Sequence, residues 1–105
     1  MAIAQISIGD PVVVEPGIYV IHGQVVIDGL VHIGAGTVLA PFITIGLRAG
    51  DFNGPTLERG VQVGTGAKII GPVRVGAGAQ IGANAVVVRD VASGETVVGI
   101  PARRV

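Results

Sequence analysis

The chain has 105 residues, of which 18 are glycine, half are hydrophobic and only 3% are aromatic; seven basic and seven acidic side chains cancel to a formal charge of zero. Balanced charge without a basic run excludes an electrostatic nucleic-acid surface, and the lack of cysteine excludes disulfide and thiol chemistry. Mean hydropathy is +0.73, yet Gly, Asp, Glu, Arg or His interrupts each apolar stretch before the roughly 18 residues a membrane span needs. Residues 1–8 also lack the basic and long apolar regions of a signal peptide, so a cytoplasmic protein with one domain, 1–105, is expected.

From the N-terminus, Ile8, Val14 and Val20 recur every six residues, and the series resumes one residue late at Ile27, Ile33, Leu39 and Ile45. The extra residue falls around His22-Gly23-Gln24. The next stretch, Gly46 to Thr56, has the Gly, Asn, Asp and Pro content of a loop. Ile45 and Leu57 stay two periods apart, which a degenerate hexad would also satisfy; Asp51 is a poor inward residue, which favours a protruding loop over about 46–56. The rhythm is clearest at Leu57, Val63, Ile69, Val75, Ile81 and Val87, each followed four places later by a small or branched residue: Val61, Ala67, Val73, Ala79, Ala85 and Val91. The pattern ends at Ser93, and 93–105 is expected to fold back as a cap over the last coil.

A six-residue period fits neither a helix at 3.6 residues nor a continuous strand at 2, so it describes short strands broken by regular corners. The fold expected is all-β, a parallel β-helix. An aliphatic residue points inward, the next place is often glycine because the chain turns there (Gly64, Gly76, Gly82), and the fifth place must fit a narrow interior. A thin prism packed with Val, Ile and Ala accounts for the shortage of aromatics.

The run from Gly60 to Gly71, Gly-Val-Gln-Val-Gly-Thr-Gly-Ala-Lys-Ile-Ile-Gly, continues through Val87-Val88 to Gly99-Ile100-Pro101-Ala102-Arg103. It resembles the catalytic β-helix domain of serine acetyltransferases and related hexapeptide acyltransferases over most of the chain, and the ending is similar to the superfamily's Gly-(Val/Asn)-Pro-Ala-(Arg/Lys) signature. The helical N-terminal domain usual in serine acetyltransferases is absent from this sequence. The resemblance implies a left-handed β-helix, an exception to the usual right-handed crossover. It also implies acetyl transfer from acetyl-CoA to a hydroxyl or amine of a small acceptor, in a groove between subunits of a homotrimer.

In such an enzyme a histidine acts as general base, a task suited to imidazole, whose unperturbed pKa of about 6.5 leaves much of it neutral at pH 7. His22, followed by Gly23 and Val25-Val26-Ile27, matches the family's catalytic histidine, although this segment is one residue shorter; a histidine beside a turn is also an ordinary surface residue. The family's cofactor-contacting corners correspond to Gly46, Thr65, Ala83 and the Pro101–Arg103 segment, where small side chains let backbone amides approach the pantetheine arm. Lys68, Arg103 and Arg104 are candidates for the phosphates of coenzyme A. On the loop, Arg48, Phe52 and Asn53 are the candidates for acceptor binding, Phe52 as the aromatic contact.

Two positions depart from the family. The aspartate that orients the histidine is replaced by Ser7, although such a carboxylate contributes strongly in related dyads, and Asp10 is two corners away. The Arg-His pair that meets the serine carboxylate just before a proline is replaced by Asn53-Gly54 before Pro55. If the chain is an enzyme, serine is therefore not its best expected acceptor. His32 falls at an outward place and reads as a surface residue, with Gln62, Lys68, Arg74 and Gln80 in equivalent places. Tyr19 and Phe42 are expected to pack between subunits, and outward Val13, Val38 and Val86 to be covered by trimer formation. Two other classes remain: a β-helix trimer that has lost its chemistry, and a metal enzyme on the same fold. The latter needs several histidine ligands, which His22 and His32 cannot complete, so no metal is expected.

Overall fold

The computed structural model describes residues 5–8, 12–20, 24–27, 29–51 and 53–105. Short strands wind into a prism with three faces. Face A stacks β1 (Gln5–Ile8), β4 (Gln24–Ile27), β7 (Ile43–Gly46), β10 (Lys68–Ile70) and β13 (Val86–Val87). Face B stacks β2 (Val12–Val14), β5 (Leu30–Ile33), β8 (Asn53–Leu57) and β11 (Arg74–Val75). Face C stacks β3 (Tyr19–Val20), β6 (Val38–Leu39), β9 (Gln62–Val63), β12 (Gln80–Ile81) and β14 (Thr96–Val98), closed by β15 (Arg103–Arg104). All strand pairs are parallel except β14–β15. The fold is the parallel β-helix that the hexads imply, of the left-handed kind that the resemblance implies.

Alternation within each strand sends one residue inward and the next outward. Ile27, Ile33, Leu39, Ile45, Leu57, Val63, Ile69, Val75, Ile81 and Val87 are buried, as are the small partners Val61, Ala67, Val73, Ala79, Ala85 and Val91. Thr37 is also buried, at a place held by Val61 and Ala79 in the following coils, and its Oγ1 donates to the Gly34 carbonyl at 2.7 Å. That bond offsets the cost of enclosing a hydroxyl.

Coil length varies while the register holds. Partners on face A are 19 residues apart from Ile8 to Ile27, 18 from Ile27 to Ile45, 24 from Ile45 to Ile69 and 18 from Ile69 to Val87. The 19-residue coil carries its extra residue between β3 and β4, in the connection that includes His22. The 24-residue coil carries the protrusion, whose limits are narrower than 46–56: Gly46 closes β7, and Asn53–Thr56 belong to β8. Leu30 pairs with Asn53 but His32 pairs with Thr56, so β8 bulges by one residue at Gly54-Pro55.

Past Val87 the winding continues further than the hexads suggest. Val75 bridges to Val91 and Ile81 pairs with Val97, so this last partial coil has 16 residues and breaks the six-residue count without breaking the stack. Ser93-Gly94 still forms a corner, with the Gly94 N–H donating to the Ala77 carbonyl at 2.9 Å. The fold-back begins only after Val98, where the Ile100–Pro101 peptide is cis and β15 runs antiparallel to β14.

Glycine serves two purposes that the sequence reading merged. Gly64, Gly76 and Gly82 have ordinary backbone but no room for a side chain: a β-carbon on Gly64 would lie 2.8 Å from the Ala83 nitrogen, and one on Gly76 2.4 Å from the Ser93 nitrogen. Left-handed backbone falls two residues later, at Gly66 and Gly78. The first set permits coils to stack closely, and the second turns the chain.

Candidate active site

The prism has three kinds of corner, and the candidate residues divide between two of them. At the corner from face C to face A, successive coils place the segments Pro41-Phe42, Thr65-Gly66 and Ala83-Asn84 in a column, followed by the turn at Gly99–Pro101. Hydrogen bonds tie the column together: the Gly66 N–H donates to the Pro41 carbonyl at 3.1 Å, the Asn84 N–H to the Thr65 carbonyl at 2.8 Å, and the Val86 N–H to the Gly99 carbonyl at 3.0 Å. Thr65, Ala83 and Pro101 therefore share one edge. Their side chains are exposed, and adjacent coils lie roughly 4.8 Å apart.

Beside this edge, on face C, Val38, Ala40, Gln62, Thr65, Gln80 and Thr96 are among the residues lining an open groove of about 350 Å³. Its floor is apolar strand and small corner residues, and Gln62 and Gln80 present amide groups along it. A second depression of about 210 Å³ lies among Val88, Arg89, Pro101, Ala102 and Arg103. Lys68, at an outward place on face A, is folded back so that its Nζ donates to the Gly66 carbonyl at 2.8 Å.

His22 lies outside the described residues, as does Phe52. The strands that flank the His22 connection, β3 and β4, run from face C to face A, as do β6 and β7, and β9 and β10. Ser7 pairs with Val26 on face A, and Asp10 also lies outside the described residues.

Gly46, Arg48 and Asn53 are at the other end of face A, where it meets face B. Gly46 is buried and its carbonyl accepts from the Gly71 N–H at 3.0 Å. Arg48 closes a turn on itself: the Asp51 N–H donates to the Arg48 carbonyl at 3.0 Å, and its guanidinium lies 3.7 Å from the Asp51 carboxylate. The same carboxylate accepts from the Asn53 N–H at 3.0 Å. Asn53 borders an open hollow of about 390 Å³ with Leu30, Thr56, Pro72, Arg74 and Asp90. A β-carbon on Gly54 would lie 2.6 Å from Val31 Cγ2, so this stretch of β8 is shaped around glycine.

The third corner, from face B to face C, holds a repeated clasp that the hexad reading missed. Glu15 Oε1 accepts from the Ala35 N–H at 3.2 Å while its Oε2 lies 2.7 Å from His32 Nε2. One clasp further, Glu58 Oε1 accepts from the Ala77 N–H at 3.0 Å and Oε2 from Arg74 Nη1 at 2.6 Å. The Arg74 bond, then that from Ala77, holds the Glu58 carboxyl below its ordinary value of 4.5. His32 and Arg74 are thus exposed partners in equivalent clasps. The legible signal was an alternation of Glu15, Gly34, Glu58 and Gly76 at the place after the inward aliphatic: each glutamate reaches over a glycine of the next coil. The apolar residues that remain exposed include Val26, Phe42, Val88, Val98 and Ile100, whereas Val38 and Val86 are already half-buried.

Residues 54–89 match the family described as bacterial transferase hexapeptide (six repeats). Serine acetyltransferase of Synechococcus elongatus is 43% identical over 91 residues, covering 83% of this chain and 37% of that protein. The Helicobacter pylori (strain J99) enzyme is 41% identical over 93 residues, covering 85% and 54% respectively. Among solved structures, Neisseria gonorrhoeae serine acetyltransferase in complex with serine superposes with a TM-score of 0.83 at 33% identity, over 88% of this chain and 39% of that one. A serine acetyltransferase in complex with CoA gives 0.84 at 36% identity, over 90% and 39%. The chain spans about half or less of the length of these relatives. Among the described residues no helix is long and apolar enough to cross a membrane. By repeat, fold and sequence, the chain is similar to the serine acetyltransferase-like hexapeptide-repeat proteins of the left-handed β-helix superfamily.

Proposed function

We propose that this chain transfers an acetyl group from acetyl-CoA to a hydroxyl or amine of a small acceptor, in the cytoplasm and as a homotrimer. The observation that carries the reading is the column at the C–A corner, where Thr65, Ala83 and Pro101 share an edge with the strands flanking His22. A thioester laid along that edge meets small side chains and backbone amides, and Arg103 lies near the Pro101 end for a phosphate. His22 is the general base: its neutral imidazole accepts the acceptor's proton as the oxygen or nitrogen attacks the thioester carbonyl, and the thiolate of coenzyme A leaves. A base of this kind contributes about 10²–10⁴-fold. With serine at position 7, orientation of the imidazole falls to a group other than the family's aspartate.

Separation of the two sets of candidates supports an oligomer. The cofactor candidates Thr65 and Ala83 and the acceptor candidates Arg48 and Asn53 stand at opposite ends of face A, and the five residue steps from Phe42 to Leu47 span roughly 16 Å. One prism cannot bring both sets to one reacting carbon; the loop of a neighbouring copy can. Exposed Val88, Val98 and Ile100 give such an interface apolar surface.

L-Serine is not the favoured acceptor. Asn53 and Gly54 carry no charge, Arg48 is paired with Asp51, and adding a side chain at 54 would drive it into Val31. The test is release of free coenzyme A thiol from acetyl-CoA across a panel of alcohols and amines. Transfer to a small acceptor exceeding that to L-serine is expected. No transfer to any acceptor, together with no thermal stabilisation by coenzyme A, would leave the scaffold reading in its place; a ligand at 100 times its Kd stabilises by about 2.7 kcal/mol.

A further inference from the structure

Among the described residues, left-handed backbone occurs at glycines and at two others, Phe42 with φ 64° and Asn84 with φ 60°. Asparagine tolerates this conformation because its short polar side chain bonds locally; a bulky aromatic does not, and is a true outlier there. The B–C corner obeys the rule in each described coil, with Gly17, Gly36, Gly60, Gly78 and Gly94. Phe42 breaks it at the C–A corner, and does so while 61% exposed. The ring therefore gains little burial within its own chain to offset the backbone cost.

Its position gives the strain a use. Ile43 pairs with Val25, so Phe42 stands level with Gln24, immediately after the connection that carries His22. On the other side the Gly66 N–H bonds to the Pro41 carbonyl, which places Phe42 between the start of β4 and the Thr65-Gly66 corner. Val26, one pleat along on the neighbouring strand, is 42% exposed and adds a second apolar side chain to this end of face A. The cation beside this corner, Lys68, is turned to the Gly66 carbonyl. Strained backbone of this kind clusters at active sites and ligand clamps.

We infer that Phe42 is a specificity-determining residue of the acetyl-transfer site, its ring and Val26 forming an apolar wall that selects an acceptor with a hydrocarbon or aromatic group over a carboxylate-bearing amino acid. This rests on the acetyl-transfer reading. The transfer itself is unchanged: the acceptor heteroatom forms a bond to the acetyl carbon, the carbon–sulfur bond breaks, the proton passes to His22, and coenzyme A leaves.

The experiment compares the unmodified protein with Phe42→Gly and Phe42→Leu. It measures kcat/KM for aliphatic and aromatic alcohols and amines against L-serine, with melting temperature, oligomeric mass and coenzyme A affinity alongside. The unmodified protein is expected to prefer the apolar acceptors. Phe42→Gly should raise the melting temperature, keep mass and coenzyme A affinity, and reduce the ratio of apolar to serine turnover tenfold or more; Phe42→Leu should retain most of that ratio. A lower melting temperature or altered mass in Phe42→Gly would make the ring a packing or subunit contact and overturn the assignment. An unchanged acceptor ratio, or a preference of the unmodified protein for L-serine, would overturn it while leaving acetyl transfer standing. Absence of transfer to any acceptor by the unmodified protein would remove the acetyl-transfer reading, and this one with it.

Discussion

Two corners of the same prism solve the same geometrical problem with different residues. At the B–C corner each described coil turns on a left-handed glycine, and the glutamates of two coils reach down to bond the next. At the C–A corner the equivalent column reads Phe42, Gly66 and Asn84, with exposed Thr65 and Ala83 beside it. The first corner uses the residue best suited to each place. The second gives up that fit in one coil, on the side of the prism where the candidate chemistry collects. Regular repetition therefore marks the part of a solenoid that holds it together, and departure from repetition marks where to look for function.

The sharpest way to test the contrast is to remove the imidazole proposed as the base. His22→Ala is expected to lower acetyl transfer by about 10²–10⁴-fold, with melting temperature, oligomeric mass and coenzyme A affinity unchanged; full activity in this variant would exclude His22. Ala83→Phe should come next, weakening coenzyme A binding by about tenfold or more, equivalent to about 1.4 kcal/mol, without disturbing the inward core. Calorimetric titration that shows unaltered affinity would mean the cofactor groove is elsewhere. A substitution at the other corner should reverse the pattern. Gly60→Ala forces a β-carbon into φ 71° and is expected to cost about 1–2 kcal/mol of stability, read by denaturant unfolding, while the rate per folded molecule stays the same.

The smallest effect belongs to the clasp. Because Arg74 and the Ala77 N–H hold the Glu58 carboxyl below its ordinary value of 4.5, its contribution to folding is fully present above that value. It is lost as pH falls through the lower, folded value, because the unfolded chain then takes up the proton more readily. Glu58→Gln should flatten this part of the acid limb of the stability curve. An acid limb identical in the two proteins would show that the clasp is electrostatically idle.

The interior was legible in the sequence because the demand on it is periodic. Every inward aliphatic from Ile27 to Val87 and every small partner from Val61 to Ala85 is buried as its place in the hexad requires, whereas Val91 is buried in the inward place that stacks on Val75. Counting alone could not assign the glycines, since a missing β-carbon looks the same whether the chain needs a positive φ at Gly66 or clearance at Gly64. Nor could counting follow the last coil, where the omission of two residues ends the rhythm at Val91 although Val97 still stacks on Ile81. The site was legible as a set of residue types rather than as a place. Thr65, Ala83 and Pro101 share an edge, but Gly46, Arg48 and Asn53 stand at another, because hexad position says which way a side chain points and not which corner it borders. Phe42 could have been singled out in advance: it falls in step with Gly66 and Asn84, two residues at ease in left-handed backbone.

The bulge in β8 has a consequence for how this chain can change. Between paired Ile27 and Leu30 there are two residues, and between paired Ile45 and Asn53 there are seven; Gly54-Pro55 then adds one more before Thr56 and Leu57 resume register with His32 and Ile33. The loop and the bulge together make up the surplus of one coil, and every strand afterwards keeps its phase. A corner built this way behaves as a splice: residues can be inserted or removed ahead of the bulge without turning any later side chain from core to solvent. Loops of different length and chemistry can be exchanged at 47–52 while the C–A corner stays as it is, so the two ends of face A are free to evolve separately.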